Sequence, residues 1–303
     1  MDKPVLIPDI SKLRLDIYLA DELEISRSQV NKLVEFGAVT VNGKAVKSGY
    51  LIKQGDRVEV SFPELARDLI PEDIPLNILY EDSFIAVLNK PQGMTVHPGG
   101  GCYSGTLANA LLHRYPGLCG SVAAPHRPGI VHRLDKDTSG VMVVALNPAA
   151  HLALSKQFAA RKVTKTYLAL LEGNLSPDSG EIKTLIARDP KNRKLMCVST
   201  HEGREAITRY RVLERFGQNC LVEFKILTGR THQIRVHAKA LGHPVVGDAG
   251  YGYKKQKFNV SGQLLHAQSL TFAHPVTGAE LTFGAEPPEE FARVLEILTK
   301  NKK

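Results

Sequence analysis

The 303-residue sequence contains no tryptophan and four cysteines, Cys102, Cys119, Cys197 and Cys220. None of the four stands in C-x-x-C spacing, so neither a zinc ribbon nor a disulfide framework is expected, and reduced thiols in a cytoplasm are. Without tryptophan, stacking on a base falls to Tyr, Phe, His or Arg. No run of about 18 apolar residues occurs, and Met1-Asp2-Lys3-Pro4 does not open a signal peptide. A cytoplasmic chain with no membrane partner is the expectation. The glycine run Gly99-Gly100-Gly101 is followed by neither G-K-[ST] nor G-x-G-x-x-G, which excludes a P-loop and a dinucleotide fingerprint. No internal repeat is visible, and low complexity is confined to Lys300-Asn301-Lys302-Lys303.

What the chain does have is positive charge. Lys and Arg number 39 against 31 Asp and Glu, a net charge of +8 and a pI near 9.2. That balance favours an anionic partner, and the commonest large one is nucleic acid. On charge alone an ordinary basic enzyme stays open. The length suits one large and one small domain.

The small domain comes first. Leu15, Leu19 and Leu23 make one helical stripe. Ser26 and Gln29 form a capping box for a second helix, lined by Val30, Leu33 and Val34, with Gly37 at its end. Val39-Thr40-Val41 then runs into Asn42-Gly43, a strong two-residue hairpin signal. This order is similar to the RNA-binding domain first known from ribosomal protein S-four. The resemblance implies phosphate contacts from Arg27, Lys32, Lys44 and Lys47, which give affinity without reading sequence. We expect this domain over residues 13–62, a linker over 63–75 and a catalytic domain over 76–303.

In the large domain strands alternate with helices. Ile85–Leu88 reads as a buried strand, Thr106–Leu112 and Ala149–Ala160 as helices, and Val222, Phe224 and Ile226 as one face of a strand. A helix follows, with Thr231 as its cap and Ile234, Ala238 and Leu241 on its apolar side. Arg230, at the strand–helix turn, is placed to meet an anion. Lys165 and Tyr167 share a strand face by the period of two.

Most informative is G-I-V-H-R-L-D-K-D-T-S-G-V-M-V-V-A, Gly129 to Ala145. A loop dense in ionisable groups leads into an apolar strand, a way to present a carboxylate, Asp135, at a pocket edge. Asp135-Lys136-Asp137-Thr138 superficially matches the loop of haloacid-dehalogenase-like phosphatases. There the strand precedes the first Asp, and the threonine stands two places after the second; here the strand follows and Thr138 is adjacent to Asp137, so that reading fails. Asp137 is read as a turn or cap.

His132–Gly140 resembles the active-site motif of the RluA/RluD-type pseudouridine synthases. Asn89–Gly93, Val96–Pro98, Lys165–Tyr167, Gly229–His237 and Leu241–Asp248 continue the likeness across residues 76 to 290. The resemblance implies an α+β fold with a mixed, largely antiparallel central sheet and flanking helices. It implies that Asp135 is catalytic and pairs with Arg230. It implies that Tyr167 stacks on the target base and is a candidate proton acceptor. Arg133 fills the space of the flipped nucleotide, with His132 and Lys165 as further substrate-binding residues. No cofactor and no metal are implied. The RluD-like subgroup carries the same small domain, which implies large-subunit (23S) ribosomal RNA, or the assembling subunit, as partner of a monomeric enzyme. The alternative is a non-catalytic RNA-binding or ribosome-assembly factor on the same scaffold; a glycosidase-like hydrolase is weaker, since no second in-line carboxylate is evident.

Overall fold

The computed structural model describes residues 5–23, 27–61, 69–99, 104–118 and 127–301, without the side chains of 28, 29 and 32. The expected cap of Ser26 and Gln29, the Lys32 side chain, residues 63–68 of the linker, Gly100, Gly101, Cys102 and Cys119 lie outside the described residues. The chain forms two compact units, one up to Leu69 and one from Ile70 onward.

The first unit holds β1 (Val5–Leu6), α1 (Leu15–Glu22), α2 (Arg27–Glu35), β2 (Val39–Val41), β3 (Lys44–Ala45) and β4 (Val58–Val60). Its sheet runs β1-β4-β2-β3. Leu15, Leu19 and Val30 of the helices bury against Val39, Val41, Val58 and Val60. The β2–β3 turn is the two-residue Asn42-Gly43 loop, with φ of 51° and 76°, the conformation that matches strand twist. Asp16 is buried and accepts from Arg14 Nε at 2.9 Å and Arg27 Nη2 at 2.7 Å. The Arg14 hydrogen bond, helped by Arg27, outweighs burial and holds the Asp16 carboxyl at about 2. Arg27 therefore has a partner inside its own unit, although its side chain stays 57% exposed. Lys44 and Lys47 are exposed.

The second unit contains β5 (Asn77–Glu81), β6 (Ile85–Lys90), α3 (Leu107–Arg114), β7 (Ser139–Ala145), α4 (Pro148–Ala159), β8 (Thr164–Glu172), β9 (Ser179–Arg188) and β10 (Met196–Ser199). There follow β11 (Arg204–Phe216), β12 (Asn219–Ile226), α5 (Gln233–Ala240), β13 (Leu265–Ala273), β14 (Glu280–Gly284) and α6 (Glu289–Lys300). One sheet takes the order β10-β9-β11-β12-β8-β13-β7-β6-β5, with β14 on β13. Among the described residues every strand pairing is antiparallel except β13 with β7. This is the α+β, largely antiparallel arrangement expected.

β7 is buried along its whole length, and burial on both faces explains why its residues from Val141 to Ala145 are all apolar. On one side Val141, Val143 and Ala145 pack with Ala150 and Leu154 of α4 and Phe272 of β13. Elsewhere in the sheet Leu168 and Leu170 of β8 pack with Phe291 and Val294 of α6. Where β7 meets β13, Gly140 has φ of 121°, and a Cβ there would lie 2.2 Å from the Ala267 carbonyl oxygen. The close approach demands glycine. It also places the loop before β7 against the middle of the sheet. Residues 70–72 lie on α3 rather than running free. Asn109 Nδ2 donates to the Ile70 carbonyl at 2.8 Å, and the Glu72 carboxylate accepts the Gly105 N–H at 2.9 Å.

Candidate active site

The loop into β7 opens on a cavity of about 410 Å³. Asp135, Tyr167, Lys165, Arg133, Arg230 and His132 all line it, together with Phe158, His232 and Arg235. Four stretches of chain meet there: the Asp135 loop, the end of α4 running into β8, the end of β12 running into α5, and Leu265 at the start of β13.

The ion pair of Asp135 differs from the one expected. Arg235 Nη1 donates to Asp135 Oδ2 at 3.0 Å. Arg230 instead donates through Nε to the Glu205 carbonyl at 2.8 Å. The cause is the turn before α5. The Gln233 side chain accepts the Arg230 N–H at 3.0 Å and the Thr228 hydroxyl at 2.8 Å. Its amide donates to the Ile207 carbonyl and the Thr208 hydroxyl at 3.0 and 2.9 Å. His232, not Thr231, is the N-cap residue, left-handed at φ 57° and without a side-chain cap. Such a conformation costs a non-glycine residue about 1–2 kcal/mol and occurs in well-determined sites where structure imposes it. It delivers Arg235, within the first turn of α5, to Asp135.

Arg235 is itself held. Its Nε and Nη2 pair with Asp248 at 2.7 and 2.9 Å, and its guanidinium lies 5.0 Å from the centre of the Tyr251 ring. Burial alone would raise the Asp248 carboxyl. The Arg235 guanidinium and the backbone N–H groups of Tyr251 and Gly250 outweigh that and hold it below its ordinary value. One guanidinium therefore joins two carboxylates, the fully buried Asp248 and Asp135, 18% exposed at the cavity.

Tyr167 is buried beside Asp135. Burial, then the Asp135 charge, pushes its hydroxyl well above the ordinary phenol value. It is a neutral phenol at pH 7, so a phenolate base is not populated. His132 is neutral as well: burial, then Lys165, pushes it down to about 3. Its Nε2 accepts the Val143 N–H at 3.1 Å, and its ring stacks on Phe158 at 4.6 Å, so it pins the loop to β7. Lys165 is depressed by burial and by Arg230, and Arg204 and Arg161 crowd Arg230. This wall is electropositive and suits an anion. Arg133 is exposed at the mouth.

A second buried cation supports the loop. Lys90 is 0% exposed. Its Nζ donates to the carbonyls of Pro91, Met94 and Lys136 at 2.7, 2.9 and 3.1 Å. Burial pushes the ammonium down to about 7, against Asp137 and Asp135. Asp137 thus lies within the field of Lys90, behind the cavity.

Sequence reasoning missed Arg235, Asp248, His232, Tyr251 and Lys90. Arg235 stood in the same string as Arg230, and one signal was available: a charged residue beside Ile234 on a helix read as packed. Among the described residues no group of His, Cys, Asp and Glu is placed to hold a metal, and no helix is long and apolar enough to cross a membrane.

Residues 85–240 match the family described as RNA pseudouridylate synthase, and residues 13–58 match the S4 domain. The chain is 47% identical over 290 residues to "Uncharacterized RNA pseudouridine synthase YlyB" of Bacillus subtilis (strain 168), covering 95% of each. It is 43% identical over 302 residues to "Ribosomal large subunit pseudouridine synthase D" of Xylella fastidiosa, covering 95% of this chain and 89% of that one. Among solved structures it is similar to "Human RNA Pseudouridylate Synthase Domain Containing 1", with a TM-score of 0.58 and 30% identity over 75% of this chain and 96% of that chain.

Proposed function

The chain belongs to the RNA pseudouridylate synthase family, with an N-terminal S4 domain, and on that premise we propose that Asp135 carries the isomerisation and that the substrate is large-subunit ribosomal RNA. The observation that carries the first part is the cavity in which Asp135, held by Arg235 at 3.0 Å, lies beside Tyr167. The name of the Xylella fastidiosa relative supports the second.

The reaction breaks the bond from uracil N1 to the anomeric carbon and forms one from C5. C5 loses a proton and N1 gains one. The exchange is redox-neutral, so its balance calls for no cofactor. A carboxylate at the anomeric carbon stabilises oxocarbenium-like charge or attacks it. Arg235 favours the ionised, reactive form of such a group and fixes its direction. The base must leave its helix to arrive there, at a cost of a few kcal/mol. Stacking on Tyr167 and filling of the gap by Arg133 offset that cost. In this reading Arg230 and Lys165 meet phosphate, and His132 supports the loop from behind. The exposed Lys44 and Lys47, with Lys32 and the free part of Arg27, add phosphate contacts from the S4 domain.

The test is tritium release from unmodified 23S ribosomal RNA transcripts labelled at C5 of uridine. The wild-type chain should release tritium to water without freeing uracil. Asp135→Asn should bind the RNA at least as well and turn over less than a hundredth as fast. RNA binding without release by the wild type would make the chain a binding factor, and substantial turnover by the variant would remove Asp135 from the chemistry.

A further inference from the structure

The two oxygens of Asp135 are not equivalent. Oδ2 accepts from Arg235, whereas Oδ1 faces His232 Nε2 at 3.9 Å. That distance is too long for a hydrogen bond. The imidazole is nevertheless tightly specified. Its Nδ1 lies 2.8 Å from the Tyr251 hydroxyl, and that oxygen already accepts the Met196 N–H at 2.8 Å. Tyr251 is 4% exposed, so its one hydroxyl hydrogen needs an acceptor, and His232 Nδ1 is placed to be it. The imidazole proton is then on Nε2, aimed at the cavity. Burial holds His232 below its ordinary value. Arg235 and Arg133 act in the same sense, and Asp135 and Asp248 oppose. The ring is thus neutral at pH 7: a single N–H donor fixed across from a carboxylate oxygen acceptor.

A group that bridges them from the cavity side, off the line joining them, must accept from one and donate to the other, each at about 2.8 Å. A carbonyl only accepts and an amine cation only donates, whereas a hydroxyl does both. Within an RNA chain the 3′ and 5′ oxygens are esterified. The free hydroxyl is the 2′ one, on the carbon next to the anomeric centre. We propose that His232 and Asp135 Oδ1 together hold the 2′-hydroxyl of the target nucleotide, which makes His232 a further substrate-contacting residue and the source of ribose selectivity at that position. The proposal rests on the placement of Asp135 at the anomeric carbon.

The experiment uses the full chain and two synthetic RNAs. One is a stem-loop carrying a uridine mapped as modified on the 23S transcript; the other has a single 2′-deoxyuridine there. Single-turnover rates are measured for wild type, for His232→Asn, whose side chain tolerates a left-handed backbone, and for Tyr251→Phe, which frees the tautomer without touching the ring. The ribose-to-deoxyribose rate ratio should fall about tenfold in His232→Asn, and in the same direction in Tyr251→Phe. A merely structural role would slow both RNAs alike and leave the ratio where it was. Equal ratios in all three proteins would overturn the proposal, and Tyr251→Phe alone decides it should His232→Asn not fold. The wild type on the ribose RNA is a separate control: no pseudouridine there would overturn the underlying reading of the site, whatever the ratios.

Discussion

Replacing Asp248 by Asn isolates the anchor of the ion-pair chain. The side chain keeps its shape and one acceptor oxygen but loses its charge, so the buried Arg235 is left with Asp135 alone. Removing one partner from a buried pair costs about 3–5 kcal/mol. The retained oxygen puts this case near about 3 kcal/mol. For a cooperative unit of this size 1 kcal/mol shifts Tm by about 2–4 °C, so Tm should fall by about 6–12 °C at pH 7. The pH dependence has a definite sign. The Asp248 carboxyl is held below its ordinary value in the folded protein. Its stabilisation is therefore complete above the unfolded carboxylate value, about 3.9, and is lost as pH falls through the lower folded value. Melting followed by circular dichroism should show a constant gap between wild type and variant from pH 7 to about pH 5, closing in stronger acid as wild-type Asp248 takes up its proton. Arg235 would also lose its fixed direction, and a misplacement of about 1 Å at such a contact costs on the order of 10²-fold in rate. A Tm drop under about 2 °C, or a gap that does not close in acid, would refute the idea that Asp248 anchors Arg235 through charge.

Tyr167→Phe should keep single-turnover activity within about tenfold of wild type, because the phenol is held neutral and its ring remains, while Tyr167→Leu should lose the roughly 1–3 kcal/mol of base stacking; a loss of 10²-fold in the Phe variant would restore the hydroxyl to proton transfer. Lys44→Gln with Lys47→Gln should weaken RNA binding and lower the slope of log affinity against log salt by about 0.7–0.9 per lost phosphate contact, and an unchanged slope in filter-binding titrations would take both lysines off the RNA.

Most of the fold was legible because its elements carry their own period. Leu15 and Leu19 at helical spacing, Asn42-Gly43 between short strands and the apolar run Val141–Ala145 within β7 each state a local structure that packing then uses. The cavity's membership was legible too: Asp135, Tyr167, Lys165, Arg133 and Arg230 do share it. The partner of Asp135 was not. Arg230 and Arg235 lie in one string, and the choice between them is made by a left-handed residue at His232 and by the side-chain bonds of Gln233, neither of which leaves a periodic trace. Asp248 was unreadable for a similar reason, since its role exists only once a loop thirteen residues away folds back. Tyr251 and Lys90 act through backbone carbonyls and amides, which a pattern of side chains does not display. His132 illustrates the reverse: the polar residue beside the key aspartate has its Nε2 committed to the backbone of β7.

Lys90 has a consequence for how the molecule breathes. Its Nζ lies within hydrogen-bond distance of carbonyls from two separate turns, 91–94 and the one containing Lys136. Neither turn can open without stripping the buried Lys90 Nζ of a partner it shares with the other. The two therefore open as one unit, and the amides of both should exchange with solvent deuterium at a common free energy although more than forty residues of chain separate them. The Asp135 loop is thus as rigid as a segment it never touches in sequence, and a disturbance at Pro91 is felt at the carboxylate.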